Sequence, residues 1–321
     1  MPHEESSAVV ARRIGFVLLP GFSLLAQACA LEPLQVANQL SGQCLYTSIT
    51  FGLEDSEVKS AAGLALMPQR RAGVDANELD MVFVCAPSTL KDDYPSLNEW
   101  LMRLAGRGVV LGGIGGGTQV LARAGVLEGY RATLAWQSVD TFRHAHPGVR
   151  VSRQLFEIDR DRLTCGGGTA AMDMMMTLIA RHHDQRLAER VSEHFVCERI
   201  RMGDEPQRVP LGSRLGHAPQ SLTDAVALME SNIEEPLTTH ELAAHLGISR
   251  RQLERLFKKY LQAVPSRYYL NLRLQQARRL LRGSDKAIGD IALSTGFSSA
   301  AHFSTAYRNH FGMTPREERL I

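Results

Sequence analysis

The sequence predicts a doubly wound α/β domain followed by an all-α domain that carries two helix-turn-helix motifs. Three observations carry this. Short apolar runs alternate with amphipathic segments through the first two-thirds of the chain. The periodicity then stops in GDEPQRVPLGSRLGHAPQ, residues 203–220, where Gly and Pro recur as they do in a linker. After Ser221 a helical pattern is written twice. The expected boundaries are 12–202, a linker at 203–220, and 221–321.

In the first domain, after a polar tail (1–11), strands are expected at 14–19, 45–51, 80–86 and 108–114, and helices at 23–40, 94–106 and 117–127. Brief apolar strands between amphipathic helices are what a parallel sheet covered on both faces requires. LFEI and RLTC flank Asp159-Arg160-Asp161 and read as a hairpin or a pair of late strands, and residues 169–200 read as helix. Arg12-Arg13 followed by IGFVLLPGFSLLAQACA imitates a secretory signal. Pro20-Gly21 interrupt it at the middle, and a buried strand, a turn and a helix explain the segment instead. With no 18-residue apolar run, no membrane partner is expected.

The second domain begins with Leu222–Ile233, breaks at Pro236 and continues as short helices separated by glycines. Glu241-Leu242-Ala243 with Gly247-Ile248-Ser249 repeats as Asp290-Ile291-Ala292 with Gly296-Phe297-Ser298, at an offset of 49. Past one insertion the offset is 50: Leu253, Phe257 and Pro265 match Phe303, Tyr307 and Pro315. Gly247 and Gly296 fall where a helix must end in a left-handed residue, and Ser249 and Ser298 can cap the helix that follows. In copy one Leu253, Leu256, Phe257 and Tyr260 form a buried stripe, opposite Arg251, Glu254, Arg255 and Lys258. Copy two buries Phe303, Tyr307 and Phe311 and exposes Ser299, His302, Thr305, Arg308 and Asn309.

Charge agrees with this division. The whole chain of 321 residues has a net charge of +2, but residues 218–321 hold 14 Lys/Arg against 10 Asp/Glu. Residues 248–282 alone hold ten bases and one acid, Glu254, an excess that points to a polyanion. Arginine bonds guanine bidentately and lysine reaches phosphate, so the outward face of the first helix suits a major groove of double-stranded DNA. The intervening helix, Ser266–Arg282, carries Arg267, Arg273, Arg278, Arg279 and Arg282 and sets the separation of the two readers. The overall mixture, 44% hydrophobic and 22% charged, excludes collagen-like and largely disordered chains. Five widely spaced cysteines without a C-x-x-C argue against a disulfide framework or structural zinc and for a reducing cytoplasm.

SRRQLERLFKKYLQAVPSRYYLNLRLQQARRLL, followed by IGDIALSTGFSSAAHFSTAYRNHFGMTPREER, resembles the AraC/XylS DNA-binding domain. By that resemblance Arg250, Arg251, Glu254, Arg255 and Lys258 form the first reading surface and Ser299, His302, Thr305 and Arg308 the second. Arg251 and Arg255 fall where base contacts are made. Ala300 and Ala301 supply no polar group where many members have one.

GVVLGGIGGGTQVLARAGVLEGYRATLAW resembles the nucleophile-elbow region of the class I glutamine-amidotransferase-like (ThiJ/PfpI) superfamily. GFSLLAQACALEPLQVAN and TCGGGTAAMDMMMTLI resemble the version fused to AraC-type domains, in regulators of arginine, glycine betaine and carnitine catabolism. The resemblance implies a flavodoxin-like sheet. The superfamily's cysteine position aligns with Gly115 and its assisting acid falls near Ala26, so no enzyme activity is expected. Cys165 is the nearest substitute nucleophile, without a relay in view.

The crevice beyond the strand ends is expected to bind a small effector through Phe22, Ser23, Pro87, Gly115, Gly116, Gly117, Thr118, Trp136, Cys165 and Gly166. Close approach at the glycines, with a helix N-terminus, would favour a carboxylate. Trp136 would face a quaternary ammonium or guanidinium group, with core packing as the other explanation. Glu32 could pair a cation but suits a structural place better. The His144-x-His146 and His182-His183 pairs lack further ligands and read as surface residues, so neither metal nor cofactor is expected.

The expectation is a ligand-responsive transcriptional activator, a homodimer that engages DNA and RNA polymerase, with an amino-acid-like or quaternary-ammonium effector. The rival from another class is an amidohydrolase or glyoxalase-like enzyme with an accessory DNA-binding domain.

Overall fold

Successive residues of the first strand point to opposite sides, and both sides are buried. Ile14, Phe16 and Leu18 enter one apolar core while Val17 enters another, as a strand sandwiched between two helix layers must. The computed structural model describes residues 10–73, 78–90, 92–207 and 218–320, in two units, Met1–Gln207 and Arg208–Ile321.

The first unit is built on a seven-stranded sheet. Its strands are β1 (Arg12–Leu18), β2 (Tyr46–Gly52), β5 (Arg70–Arg71), β6 (Met81–Ala86), β7 (Val110–Gly115), β10 (Phe156–Asp159) and β11 (Arg162–Cys165). Their order is β10-β11-β7-β6-β1-β2-β5. All neighbours run parallel except the β10–β11 hairpin at one edge. Two small ribbons lie outside it, β3 (Val58–Lys59) with β4 (Ala65–Leu66) and β8 (Arg131–Ala132) with β9 (Arg150–Val151).

One face of the sheet is covered by α1 (Leu24–Ser41), α5 (Ala170–His182) and α6 (Gln185–His194), the other by α2 (Pro95–Gly106), α3 (Gly117–Arg123) and α4 (Val139–Ala145). The sheet is the doubly wound one expected, with each anticipated strand present to within two residues.

Two helices differ from expectation. The segment 117–127 leaves the helix at Arg123, and Val126 and Leu127 are buried from the turn that follows. The segment 169–200 is two helices that end at His194, short of the expected Ile200. Asp184 lies between them and caps the second, its carboxylate accepting the Leu187 N–H at 2.8 Å.

The first part of the expected linker belongs to this unit. Leu155 N–H donates to the Gly203 carbonyl at 3.0 Å, and Gln154 bridges to Pro206. Residues 208–217 of that linker lie outside the described residues.

The second unit is helical: α7 (Gln220–Ser231), α8 (Thr239–His245), α9 (Arg250–Leu261), α10 (Pro265–Gly283), α11 (Ile288–Ser294), α12 (Ala300–Phe311) and α13 (Pro315–Arg319). It has two cores. One gathers Leu222, Leu242, Leu253, Phe257 and Tyr269, the other Leu274, Leu281, Ile291, Phe303 and Tyr307, with α10 contributing to both. Among the described residues no helix is long and apolar enough to cross a membrane.

Candidate functional site

Each half of the second unit places a short helix, a glycine turn and a longer helix in sequence. Gly247 and Gly296 close α8 and α11 at φ +64 and +75. Thr238 and Glu241 form a reciprocal capping box at the start of α8. Ser249 caps α9 by accepting the Gln252 N–H at 3.2 Å. In the second copy the cap is Ser299, accepting from His302 N–H at 3.2 Å, and not Ser298 as the repeat suggested. The register differs by one because the extra residue of the second copy falls before this cap, so that Ser249 matches Ser299 at the offset of 50.

On α9, Leu253, Leu256 and Phe257 are buried and Arg251, Arg255 and Lys258 are exposed. Tyr260 is only half-buried, as is Phe311 on α12. Arg250 and Glu254 share this outer surface but pair with each other one turn apart at 2.8 Å. An exposed i,i+4 pair of this kind contributes only about 0.3–0.5 kcal/mol, weak enough to open when a phosphate or base approaches. On α12, His302, Thr305 and Arg308 are exposed. The Thr305 hydroxyl donates to the Ala301 carbonyl at 3.0 Å, and His302 lies edge-on to Phe297.

Part of the basic surplus is used inside the unit. Arg273 donates through Nε to the Thr295 carbonyl at 2.7 Å and through Nη2 to the Gly296 carbonyl at 2.6 Å. Arg278 and Arg282 both bond the buried carboxylate of Glu318. These three arginines hold the second motif together, so the polyanion-facing charge is smaller than the count over 248–282 implies. Sequence composition cannot separate the two uses. The i,i+4 and i,i+5 spacing of Arg273, Arg278 and Arg282 toward the apolar stripe was the available signal.

The crevice of the first unit is two adjoining cavities of about 330 and 320 Å³ that share Ser88 and Gly166–Gly168. Ser23, Ala26, Cys85, Pro87 and Gly115 line the first. Trp136, Gln137, Arg201 and Gln207 line the second. Of the expected ligand residues, Ser23, Pro87, Gly115, Trp136 and Gly166 are therefore brought together.

The other five are used for packing. Phe22 is wholly buried in the core. A Cβ on Gly116 or Gly117 would sit 1.8 Å from the carbonyl oxygen of Pro87 or Val84, so these glycines let α3 lie against the strand. Thr118 is buried and donates to the Thr133 carbonyl at 2.9 Å. Cys165 is buried, and burial pushes its thiol up to about 12 although the Gly167 and Gly115 N–H groups oppose the shift. A helix start packed in this way offers no open carboxylate seat.

Gly115 ends β7 at φ +62, a left-handed backbone that glycine adopts without strain, at the turn where the resemblance would place the superfamily's thiol. Here that position and Ala26 both line the first cavity without an ionisable group. Among the described residues lining that cavity, Cys85 alone carries a titratable side chain, and burial pushes its thiol up.

Arg201 and Gln207 were missed at the sequence level. Arg201 meets Asp173 through Nε at 3.0 Å and through Nη2 at 2.5 Å, and Thr169 through Nη2 at 2.7 Å. Gln207 accepts the Trp136 N–H at 2.9 Å and donates to the carbonyls of Leu134 and Gln154 at 2.8 and 2.7 Å. Both follow the last predicted helix, where periodicity gives no guidance.

Glu32 is exposed on α1. His182 and His183 are half-buried against Tyr46, not on the open surface. The His182 Nδ1 lies 3.1 Å from the Tyr46 hydroxyl, and burial lowers its pKa to about 4. No cluster able to hold a metal ion occurs among the described residues.

Known proteins match both units. The DJ-1/PfpI family matches residues 16–181 and a Helix-turn-helix domain matches residues 242–320. The HTH-type transcriptional regulator GbdR of Pseudomonas aeruginosa is 46% identical over 308 residues, covering 95% of this chain and 83% of that protein. The HTH-type transcriptional regulator ArgR of the same species is 45% identical over 96% of this chain and 93% of its own.

The chain belongs to the DJ-1/PfpI-type HTH transcriptional regulators.

A crystal structure of an AraC family transcriptional regulator from Pseudomonas putida superposes with a TM-score of 0.55. It is 31% identical over 57% of this chain and 99% of that one. As a member of this family the chain is a DNA-binding regulator of transcription, and its second unit contains the matched helix-turn-helix segment.

Proposed function

We propose that this regulator is a ligand-responsive activator of amino-acid or amine catabolism that works without catalysis. Its first unit binds a small amino-acid-like or quaternary-ammonium metabolite and dimerises. Its second unit reads double-stranded DNA with α9 and α12 and engages RNA polymerase, in the cytoplasm. The observation that carries the sensor reading is the emptied elbow. Gly115 and Ala26 both line the first cavity, and by the superfamily resemblance they fall at or near the places of the nucleophile and its assisting acid, which favours a cavity that holds a molecule over one that transforms it.

The second cavity supports the class of effector. Arg201, although its Nε and Nη2 are held by Asp173 and Thr169, brings a guanidinium to the cavity wall from which Nη1 could donate to a carboxylate. The half-buried Trp136 puts an aromatic ring in the same lining, a residue type suited to a cationic end. The ligand can act only through its differential affinity for two states of the protein.

The test is a thermal-shift screen of the full chain across cationic amino acids, betaines and carnitine. A true effector at a hundredfold excess over its Kd stabilises by about 2.7 kcal/mol. A flat response across these compounds would sink the effector class, and turnover of any of them would return the enzyme reading.

A further inference from the structure

A cavity of about 910 Å³ opens between the end of α9, the turn that follows it, the first part of α10 and the outward side of α12. Its lining includes Lys258, Arg267, Asn271, His302, Asn309 and His310. Leu270 and Leu274 supply apolar surface, and none of the described residues lining the cavity is acidic. Arg267 is exposed and forms no ion pair among the described residues. It thereby differs from Arg273, Arg278 and Arg282 farther along the same helix, whose guanidinium groups are taken up internally. The cleft is continuous with both reading surfaces, since Lys258 belongs to one and His302 and Thr305 to the other.

Two helices that enter successive major-groove segments on one face of a duplex straddle the minor groove between them. The phosphodiester strand bordering that groove must pass through the space separating the helices, and it is dense in negative charge. A cleft with cationic and amide donors and no carboxylate suits such a strand.

We propose that this cleft seats the phosphodiester backbone of the DNA segment lying between the two readers. Arg267 and Lys258 neutralise phosphate, and Asn271 and Asn309 donate hydrogen bonds. The proposal rests on the reading of α9 and α12 as DNA readers and adds Arg267 and Asn271, from the helix that joins them, to the DNA surface.

The experiment uses the full chain and a duplex recovered by selection from random-sequence DNA. Affinity is measured against salt for the wild type, Arg267→Gln, Arg267→Lys, Arg251→Ala and Arg316→Gln, the last an exposed charge outside the cleft. Arg267→Gln is expected to weaken cognate and base-substituted duplexes by the same factor. It should also lower the slope of log K against log salt by about 0.9. Between 0.05 and 0.2 M salt the loss of affinity then shrinks by about three- to fourfold, one phosphate's share. Arg267→Lys should restore most of the binding. A neutral methylphosphonate between the two protected segments should weaken the wild type and leave Arg267→Gln unaffected.

Several results would overturn the proposal. If Arg267→Gln keeps the wild-type slope while Arg251→Ala loses base preference, the cleft assignment falls and the readers stand. An effect no larger than that of Arg316→Gln would assign the change to net charge. Loss of self-association in Arg267→Gln with unchanged phosphate dependence would make a second copy the occupant. Failure to recover any duplex would remove the DNA reading and this proposal together.

Discussion

Glu318 shows how one residue can fix the placement of a helix, here α12 through Tyr307. Its side chain is fully buried (0% exposed), one oxygen accepts from Arg278 at 3.0 Å and Arg282 at 2.6 Å, and the other accepts from the Tyr307 hydroxyl at 3.0 Å. Burial alone would raise its pKa, but the Arg278, Tyr307 and Arg282 hydrogen bonds outweigh that and hold it below the ordinary carboxylate range. Since the folded-state pKa is depressed, this stabilisation is present above the unfolded carboxylate pKa of about 4.3 and disappears as pH falls through the lower folded value. Glu318→Gln should therefore lower the denaturant midpoint of the second unit at pH 7. The cost should be about 2–3 kcal/mol, less than the ~3–5 for a fully buried pair because both arginines keep contact with water. The gap between variant and wild type should narrow as pH falls below the ordinary carboxylate range and through the depressed folded value. A gap that stayed constant with pH would mean that Glu318 acts by shape and not by charge.

At the scale of elements, periodicity made the core strands and both helix-turn-helix motifs legible, because burial repeats every two residues in one and every three to four in the other. The elements it could not show are those fixed by single polar contacts over long separations. The break at Asp184, the docking of Gly203–Gln207 and the Arg201–Asp173 pair leave no periodic trace. The expected ligand residues divide for the same reason: a glycine that packs and a glycine that lines a cavity look alike in a sequence, and only the carbonyls facing Gly116 and Gly117 separate them from Gly115. Helix α10 is a further case. Tyr269 donates to the Asn232 carbonyl at 2.5 Å, and one turn later Arg273 holds the Thr295 and Gly296 carbonyls while its guanidinium lies 4.3 Å over Phe297. Gly296 packs so closely that a Cβ there would fall 2.6 Å from the Ile233 carbonyl oxygen. The second turn is thus pinned to the loop after α7, and α10 acts as a strut between the two helix-turn-helix motifs, the proposed readers. Arg273→Met, which leaves two carbonyls without their donor, should cost about 1–3 kcal/mol of stability. Its distinguishing effect is on spacing. Wild-type affinity should fall steeply when one base pair is inserted between the two contacted segments, and the variant's should fall less. Equal sensitivity in gel-shift titrations would show that Arg273 only stabilises.

At the scale of the whole molecule, the two units rest on separate cores, so the proposed sensing and reading would too. Among the described residues, the two clusters around the sheet draw on residues up to Ile200, and the two helical clusters begin at Ala218. A chain organised in this way can lose its sensor without losing its reader. Residues 218–321 alone bury an apolar set that includes Leu222, Phe257, Phe303 and Tyr307, and about 100 residues is within the size at which a single domain supports its own fold. The fragment should unfold cooperatively and bind the selected duplex with unchanged base preference. If the full chain dimerises as proposed, the fragment should also bind more weakly, since a linked pair of readers gains effective concentration that a single copy lacks. Trp136→Ala in the full chain is the complementary change. It removes an aromatic wall of the sensor cavity, so binding to the duplex should persist while the effector no longer alters it. Footprinting of the fragment, the variant and the wild type on one duplex, with and without effector, distinguishes the outcomes. A fragment that does not fold, or a Trp136→Ala chain that loses DNA binding along with its ligand response, would mean that the two functions share a structural dependence that the separate cores do not reveal.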